Sequence, residues 1–462
     1  MATADIAIFI IGADIVLLCC FDCTSLRAMK YSKFKFMSSS FALKNTLLLF
    51  VVFALSCGNS VKSGDKLHAE SDKAITEPQK TTTLPIVTGA ENTNAYMSLL
   101  NGKKVGIVTN QTGIVNMQTT MAAAKNDYTY STRPEIKSVV DFLIDRKIEV
   151  KKIFAPEHGF RGTADAGEHI VDGKDAKTGL PIISLYGDNK KPKADQLAGI
   201  DVMIFDLQDV GARFYTYISS LHYVMEACAE NNIPLIIFDR PNPNGGIVDG
   251  PILEKENASF IGMHQIPVLH GLTIGEYGKM INGEKWLNNG VQCQLTVIPC
   301  LNYKRDMFYS LPVRPSPNLP NDQAINLYAS LCFFEGTNVS LGRGTNKQFQ
   351  IYGSPDLPDT GFSFTPMPNE GAKEPPLKGK LCYGEDLSNA PKVKKLELKW
   401  LIKAYNETKD KSKFFTPFFT KLAGTKKLQQ QIEAGKSEAE IRNSWAQGLA
   451  DFKKIRKVYE IY

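Results

Sequence analysis

Short runs of apolar residues alternate with segments of helical periodicity from about residue 85 to residue 275. The apolar runs are almost unbroken by polar residues, which is typical of strands that are covered on both faces in a parallel sheet. The predicted strands are 103–110, 149–156, 181–187, 201–208 and 233–240. Helical patterns at 134–147 and 214–231 separate several of them. The segment 85–275 is therefore predicted to be an α/β domain with a mostly parallel sheet.

The pattern changes after residue 275. A predicted helix at 274–287 leads to a predicted strand at 292–299. A proline-rich segment and a glycine-rich loop follow, and the region 395–458 has helical periodicity. These features predict that 276–462 forms a smaller α+β domain, with loops that can close over the edge of the sheet.

The N-terminal region has the pattern of an export signal. An apolar run at 47–55 follows Lys44 and is shorter than a membrane-spanning helix. The sequence "ALSC" then resembles the lipobox of bacterial lipoproteins, which predicts lipidation at Cys57. An ordinary secretory signal is the alternative. Residues 1–57 are thus predicted to be a leader with a lipoprotein signal peptide, and the polar segment 58–84 a flexible tether.

A second apolar run, at 7–22, lies upstream and is interrupted by Asp14. Because Met37 offers a conventional start for the signal peptide, residues 1–36 are predicted to come from an upstream start site. A membrane anchor in this region is the alternative. Lipidation at Cys57 predicts a protein of the cell envelope, anchored by its lipid and facing the periplasm.

Composition narrows the classes of partner. The formal net charge is +6, spread along the chain as mixed lysine and glutamate, and no basic stripe or zinc spacing is present. We therefore expect no nucleic-acid partner. The five cysteines after the tether are scattered and contain no CxxC pair, which predicts neither a metal site nor a dense disulfide framework.

Polar side chains follow several of the predicted strands, at the point where each strand ends. Asn110 follows the first strand, Glu157 and His158 the second, Asp209 the fourth and Arg240 the fifth. Sites in open α/β sheets form beyond the carboxyl ends of the strands. The sequence therefore predicts a functional cleft at this edge of the sheet.

Glu157 is the sharpest candidate for chemistry. It lies between Pro156 and Gly159 on a stiff turn. A carboxyl group that is partly enclosed there would have a raised pKa and would suit a general acid. The structural alternative is a glutamate that caps the next helix or pairs with Arg161.

Two further patterns raise cofactor hypotheses. Glu168 and His169 repeat the glutamate–histidine pair, but the spacing matches no HExxH arrangement and no third ligand is evident, which disfavours a metal. The sequence "GRGT" (342–345) lacks the strand and helix that a phosphate-binding loop requires, so a nucleotide is disfavoured as well. Arg343 on this loop would instead suit a carboxylate.

The stretch "DLQDVGARFYTY" (206–217) combines acidic and basic groups with a run of aromatic residues. Asp209 near Arg213 suits an anionic or polyhydroxylated ligand, and the aromatic rings suit the face of a sugar. The alternative is an ion pair that ties the loop to the following helix, with Phe214 and Tyr217 in the core.

Longer motifs carry a family resemblance. The segments "APEHGFRG", "ADAGE", "TGLPIISLYG", "DLQDVGARFYTY", "DRPNPNGG", "VDGP", "HGLTIGE", "PSPNLP" and "FEGTNVSLGRGT" together resemble the NamZ (YbbC-like) exo-β-N-acetylmuramidases. The resemblance runs from about residue 85 to the C-terminal residue. It implies a Rossmann-like domain without a dinucleotide, a smaller C-terminal domain and an active site in the cleft between them. It also implies release of N-acetylmuramic acid from non-reducing ends of peptidoglycan fragments.

The resemblance implies that Glu157, in the "PEHG" motif, is the catalytic acid. We predict as catalytic Glu157, His158 and Asp209. We predict as substrate-binding Asn110, Arg161, Glu168, Gln208, Arg213, Tyr215, Glu335 and Arg343. The second catalytic group is Asp209, Glu168 or Glu335, or else the N-acetyl group of the substrate. Arg161, Arg213 and Arg343 are candidates for binding the lactyl carboxylate.

The expected partners are peptidoglycan-derived muropeptides or disaccharides and, through the lipid anchor, a membrane. No cofactor and no metal are expected. Two alternative functions stay open at this point. One is a lipoprotein that binds cell-wall fragments without cleaving them, and the other is a metal-dependent hydrolase of another bond.

Overall fold

A computed structural model describes residues 84–125, 135–160 and 172–462, together with two short strands near the N-terminus. The chain forms two compact units, 1–80 and 81–462. In the first unit, strands Ala7–Ile11 and Asp14–Leu18 pair antiparallel. Among the described residues, no helix has both the length and the apolar composition needed to cross a membrane. Cys57 and residues 58–83 of the predicted tether lie outside the described residues.

A seven-stranded sheet forms the framework of the second unit. Six strands are parallel and the last, at one edge, is antiparallel. Their order across the sheet is Leu295–Ile298, Leu235–Phe238, Val202–Asp206, Lys104–Thr109, Glu149–Ala155, Pro181–Ser184 and Gly173–Lys174. The central strand Val202–Asp206 is buried at every position, as its unbroken apolar run predicted. The predicted mostly parallel α/β sheet is therefore confirmed.

The strand Leu295–Ile298 pairs with Leu235–Phe238 and so belongs to this sheet. The sheet thus contains chain from both sides of the predicted boundary at residue 275. The boundary itself stays a prediction.

Helices pack on the sheet and begin at residues suited to cap them. Thr273 accepts a hydrogen bond from the Glu276 backbone while the Glu276 side chain accepts one from Thr273, a capping box. The helices associated with the sheet are Met97–Leu100, Met117–Lys125, Val139–Asp145, Ala194–Leu197, Tyr217–Glu230 and Ile274–Gly283. The predicted helix 134–147 starts only at Val139, because Ile136–Ser138 forms a strand.

The C-terminal part is smaller and mixed in structure, as predicted. Its three-stranded antiparallel sheet has the order Ile351–Ser354, Cys382–Asp386 and Ser363–Phe364. Its helices are Asp322–Leu331, Lys399–Glu407, Phe418–Ala423, Lys427–Glu433, Glu438–Asn443 and Ala446–Lys457. One apolar core extends from the sheet helices into this part, through contacts such as Phe214 with Phe333.

Candidate active site

A cavity of about 240 Å³ lies where the carboxyl edge of the sheet meets the C-terminal part. Polar and aromatic side chains from both parts line it. They are Glu157, His158, Tyr186, Phe214, Tyr215, Thr216, Tyr217, Phe260, Ser316, Asn318, Tyr328, Glu335, Arg343, Phe349 and Phe418, with Ile261 and Leu319. Five of the residues predicted for the site, including Glu157, therefore share one cavity.

Glu157 stands on a turn directly after the strand Glu149–Ala155. The Gly159 backbone N–H donates to the carbonyl of Pro156, 3.0 Å away, which closes the turn. The hydroxyl of Thr216 donates to Glu157 Oε2 at 2.7 Å, and Tyr186 also hydrogen-bonds this carboxyl group. Burial and the nearby Glu157 carboxylate raise the pKa of Tyr186, so its phenol keeps its proton and donates it.

His158 is buried beside Glu157 and lines the same cavity. Its φ of 72° lies in the left-handed region, which a residue with a side chain seldom adopts. Gly159 follows with a φ of 73°. Two successive left-handed residues turn the chain sharply after the strand and hold the neighbouring Glu157 at the cavity wall.

Tyrosine rings form one wall of the cavity. Tyr215 makes edge-to-face contacts with Tyr217 and Tyr328, at centroid distances of 4.8 Å and 5.9 Å. The Tyr215 hydroxyl donates to the carbonyl of Pro315 at 2.9 Å, which fixes its ring. Rigid aromatic surfaces with few polar groups are typical of sites that bind small ligands such as sugars.

Asn110 lies behind this wall rather than in the cavity. Its side-chain amide donates to the Tyr217 hydroxyl at 2.6 Å, while its carbonyl oxygen accepts from the backbone and hydroxyl of Thr112. Asn110 therefore positions a lining residue, which differs from the predicted direct contact with substrate.

Glu335 and Arg343, both from the C-terminal part, form an ion pair that lines the cavity. Arg343 Nε and Nη2 donate to Glu335 Oε1 at 2.9 Å and 2.6 Å. Burial works against the charge of Arg343, but Glu335 outweighs it and the pKa of the guanidinium is raised. The guanidinium also lies 5.2 Å from the ring centre of Phe349. The pair thus gives the cavity a fixed cation and a fixed carboxylate.

Arg213 occupies a different environment from the one predicted. Its guanidinium is fully buried and donates to four backbone carbonyls, at distances of 2.8–2.9 Å. The acceptors are Pro251, Ile266, Leu422 and Ala423. Burial lowers the pKa of Arg213 to about 9. Arg213 does not line the cavity, and its donors tie backbone segments together instead of binding an anion.

Gln208 and Asp209 also lie behind the wall. The Gln208 amide donates to the carbonyls of Asp209 and Pro241, both at 2.8 Å. Asp209 Oδ2 accepts from the Gly211 backbone at 2.7 Å and lies 3.7 Å from His270 Nε2. Both side chains are buried and neither lines the cavity, so this geometry does not bring Asp209 to the place of a second catalytic group.

Arg161, Glu168 and His169 fall outside the described residues, and their predicted roles stay predictions. Within the described ranges, no group of three or more His, Cys, Asp or Glu side chains is arranged to hold a metal ion.

Other strand-end residues pair with one another. Arg240 Nε and Nη2 donate to the two oxygens of Asp206 at 2.6 Å and 2.9 Å, and both side chains are buried. Asp239 accepts from Thr273, Gly275 and Tyr462. These groups reach the predicted edge of the sheet, but their partners are protein atoms and they do not line the cavity.

The sequence reasoning missed several lining residues. Tyr186 is the last residue but one of the predicted strand 181–187, and the rule applied to the other strand ends would have found it. Thr216 lay inside a motif that was singled out for its charged residues. Tyr328 and Phe349 carry no local signal, since only the folded chain brings them to the sheet edge.

Comparisons with known proteins agree along the length of the second unit. The family model for the N-terminal domain of the exo-β-N-acetylmuramidase NamZ matches residues 105–323, and that for its C-terminal domain matches 326–462. The peptidoglycan β-N-acetylmuramidase NamZ of Bacillus subtilis (strain 168) is 38% identical over 397 residues, covering 79% of this chain and 89% of the relative.

Two solved structures have the same fold. A DUF1343 family protein from Bacteroides fragilis NCTC 9343 is 43% identical with a TM-score of 0.73, and covers 82% of this chain and 99% of its own. A second DUF1343 family protein from that organism is 26% identical with a TM-score of 0.65 and the same coverage. Both family models match in order, and the relative in Bacillus subtilis is covered almost throughout. The chain therefore belongs to the NamZ family of exo-β-N-acetylmuramidases.

Proposed function

We propose that this protein is an exo-acting glycoside hydrolase that releases N-acetylmuramic acid from the non-reducing ends of peptidoglycan fragments, with Glu157 as the general acid. The observation that carries the proposal is the position of Glu157. Its carboxyl group lies in the wall of an aromatic cavity, in a chain that belongs to the exo-β-N-acetylmuramidase family.

The surroundings of Glu157 suit proton transfer to a glycosidic oxygen. A general acid must hold its carboxyl group in a fixed direction, within hydrogen-bond distance of the leaving oxygen. The Thr216 hydroxyl and the Tyr186 phenol both hydrogen-bond the Glu157 carboxyl group and restrict its rotation. The tyrosine wall beside it offers apolar surface for the sugar ring.

Glu335 is our candidate for the second carboxylate. Glycosidases commonly use two carboxyl groups on either side of the bond, one carrying a proton and one ionised. Glu335 lines the same cavity as Glu157, and its ion pair with Arg343 holds its carboxyl group in a fixed position. The N-acetyl group of the substrate is the alternative nucleophile.

The test is hydrolysis of a chromogenic β-N-acetylmuramide by Glu157→Gln. We expect kcat to fall by about 10²- to 10⁴-fold, the usual contribution of general acid catalysis, with KM and the melting temperature nearly unchanged. Glu149→Gln is the matched control, because Glu149 is exposed at the other end of the same strand. Unchanged turnover in Glu157→Gln would remove this residue from the acid role.

The same assay separates catalysis from mere binding. A wild-type chain that binds muropeptides tightly but cleaves none would instead be a cell-wall-binding protein. Insensitivity of the wild-type activity to chelators is also expected, since no step in the proposal needs a metal.

Lipid anchoring at Cys57, with the protein facing the periplasm, belongs to the proposal as well. Its support is the apolar run at 47–55 followed by "ALSC". Replacement Cys57→Ser should move the protein from the membrane fraction to the soluble fraction. An unchanged distribution would favour another anchor.

A further inference from the structure

The Glu335–Arg343 ion pair separates two cavities. One is the cavity that contains Glu157, and the other, of about 320 Å³, lies on the far side of the pair. Both cavities are lined by Glu335, Arg343 and Phe418. The second cavity is bordered otherwise mostly by small or apolar side chains such as Pro376, and at its exposed rim by Glu374, whose carboxylate pairs with Lys378. A branched substituent on a sugar beside Glu157 therefore has room next to the guanidinium.

The ion pair leaves polar atoms available on each partner. Both hydrogen bonds of the pair use the same oxygen, Glu335 Oε1. Within the described part of the chain, no hydrogen bond engages Arg343 Nη1 or Glu335 Oε2. Arg343 thus keeps one NH₂ group for a ligand while Glu335 and the Phe349 ring hold the guanidinium in place.

Of the other two cations predicted to bind the lactyl carboxylate, Arg213 is excluded by its contacts, and Arg161 lies outside the described residues. The Arg213 guanidinium donates four hydrogen bonds to backbone carbonyls and lies outside the cavity. Among the described residues that line the Glu157 cavity, Arg343 alone carries a permanent positive charge. A substrate anion in that cavity would find its hydrogen-bond donor there.

We infer that Arg343 binds the ionised carboxylate of the 3-O-lactyl group of the terminal sugar, and that this substituent extends beside the ion pair into the second cavity. The inference rests on the proposed function, because the lactyl ether distinguishes muramic acid from glucosamine. Arg343 is then the residue that determines specificity for the acid.

Glu335 sets the strength of this recognition. It orients Arg343 but also places a second negative charge near the ligand carboxylate, which repels it. Replacement Glu335→Gln removes that repulsion while keeping a hydrogen-bond acceptor. If Glu335 is also the second catalytic carboxylate, the same replacement lowers kcat, and the two effects separate into KM and kcat.

The experiment compares two chromogenic β-N-acetylmuramides, one with the free lactyl carboxylate and one with its methyl ester. The measured quantity is the ratio of kcat/KM for the acid to kcat/KM for the ester. In the wild type we expect a ratio of roughly 10 to 100, the contribution of a charged hydrogen bond. Arg343→Met should reduce it to about 1, mainly through KM for the acid, and Arg343→Lys should restore part of it.

Two further variants complete the design. Arg314→Met is the matched control, because Arg314 also pairs with a glutamate but lines neither cavity. It should leave the ratio at the wild-type value.

Pro376→Trp tests the second cavity. Pro376 is exposed at the border of this cavity, and the larger side chain should narrow it. We expect kcat/KM to fall for acid and ester alike, without a change in their ratio.

The outcomes distinguish the inference from the proposed function. Hydrolysis of neither muramide by the wild type would contradict the proposed function. Hydrolysis with a ratio that Arg343→Met leaves unchanged would overturn the role of Arg343. Unaltered kinetics in Pro376→Trp would overturn the placement of the substituent in the second cavity.

Discussion

At one edge of the sheet, the carboxyl groups at the ends of two of the strands differ in whether they face the cavity. After Glu149–Ala155, the carboxyl group of Glu157 is bonded by hydroxyl groups that themselves line the cavity. At the end of Val202–Asp206, the carboxyl group of Asp206 accepts hydrogen bonds from Nε and Nη2 of Arg240 and is buried away from solvent. A polar residue at a strand end therefore becomes part of a site only where its partners leave it facing open space.

The largest expected effect comes from removing the partner of the buried Asp206 carboxyl group. Arg240→Met leaves the buried Asp206 without its partner, which should lower the free energy of unfolding by about 3–5 kcal/mol. Denaturation in urea, followed by circular dichroism, measures it. The double variant Arg240→Met with Asp206→Leu should recover most of the loss, because no unpaired charge remains. A double variant as unstable as the single one would mean that the ion pair itself provides net stability.

The second prediction concerns Asp239, another buried carboxyl group at this edge of the sheet, and its effect on stability as the pH changes. Burial, and secondarily Glu276, raise the pKa of Asp239 from 3.8 to about 6. Between these values the folded chain holds a proton that the unfolded chain has lost, so the free energy of unfolding falls as pH rises. The wild type should lose about 2.5 kcal/mol through this group between pH 4 and pH 7.

Asp239→Asn removes this contribution. The difference in unfolding free energy between wild type and variant, measured by urea titration at several pH values, should therefore change across that window. The wild type should gain, relative to the variant, as the pH is lowered from 6 to 4. A difference that is constant with pH would mean that Asp239 is ionised throughout the window.

The smallest expected effect concerns Glu157, whose carboxyl group lines the cavity. Thr216→Val removes one of the hydroxyl groups that orient Glu157, and kcat should fall about 10-fold, the equivalent of one hydrogen bond. Ser219→Ala is the control, because Ser219 lies in the first turn of the helix that follows Thr216, and its buried hydroxyl does not line the cavity. Its kcat should equal that of the wild type. Equal losses in both variants would point to a general effect on the helix.

Local sequence patterns predicted much of the fold and part of the candidate site. The apolar runs predicted the parallel strands, because full burial on both faces needs no polar position. The turn residues around Glu157 pointed to its place at the sheet edge. The start of the helix Val139–Asp145 was misjudged, because pairing with Ile114–Asn116 outweighs helical periodicity over 136–138.

Long-range partners could not be predicted in the same way. Arg213 appeared as a ligand-binding group, yet two of its acceptors, Leu422 and Ala423, lie more than 200 positions away. Backbone carbonyls have no residue signature, so no pattern identifies them in advance. Tyr328 likewise reaches the cavity only through the packing of its helix against the aromatic rings around Phe214.

The four carbonyls bound by Arg213 come from two distant segments of the chain: two lie between the strand Leu235–Phe238 and the helix Ile274–Gly283, and two at the end of the helix Phe418–Ala423. Any hinge motion that opened the gap between these segments would strip a desolvated guanidinium of half its acceptors. Such a motion is costly, so the two segments, which also carry the lining residues Phe260 and Phe418, are joined before a sugar arrives. The entropy of ordering these segments is lost during folding, and the enzyme therefore offers a preformed cavity to the end of its substrate.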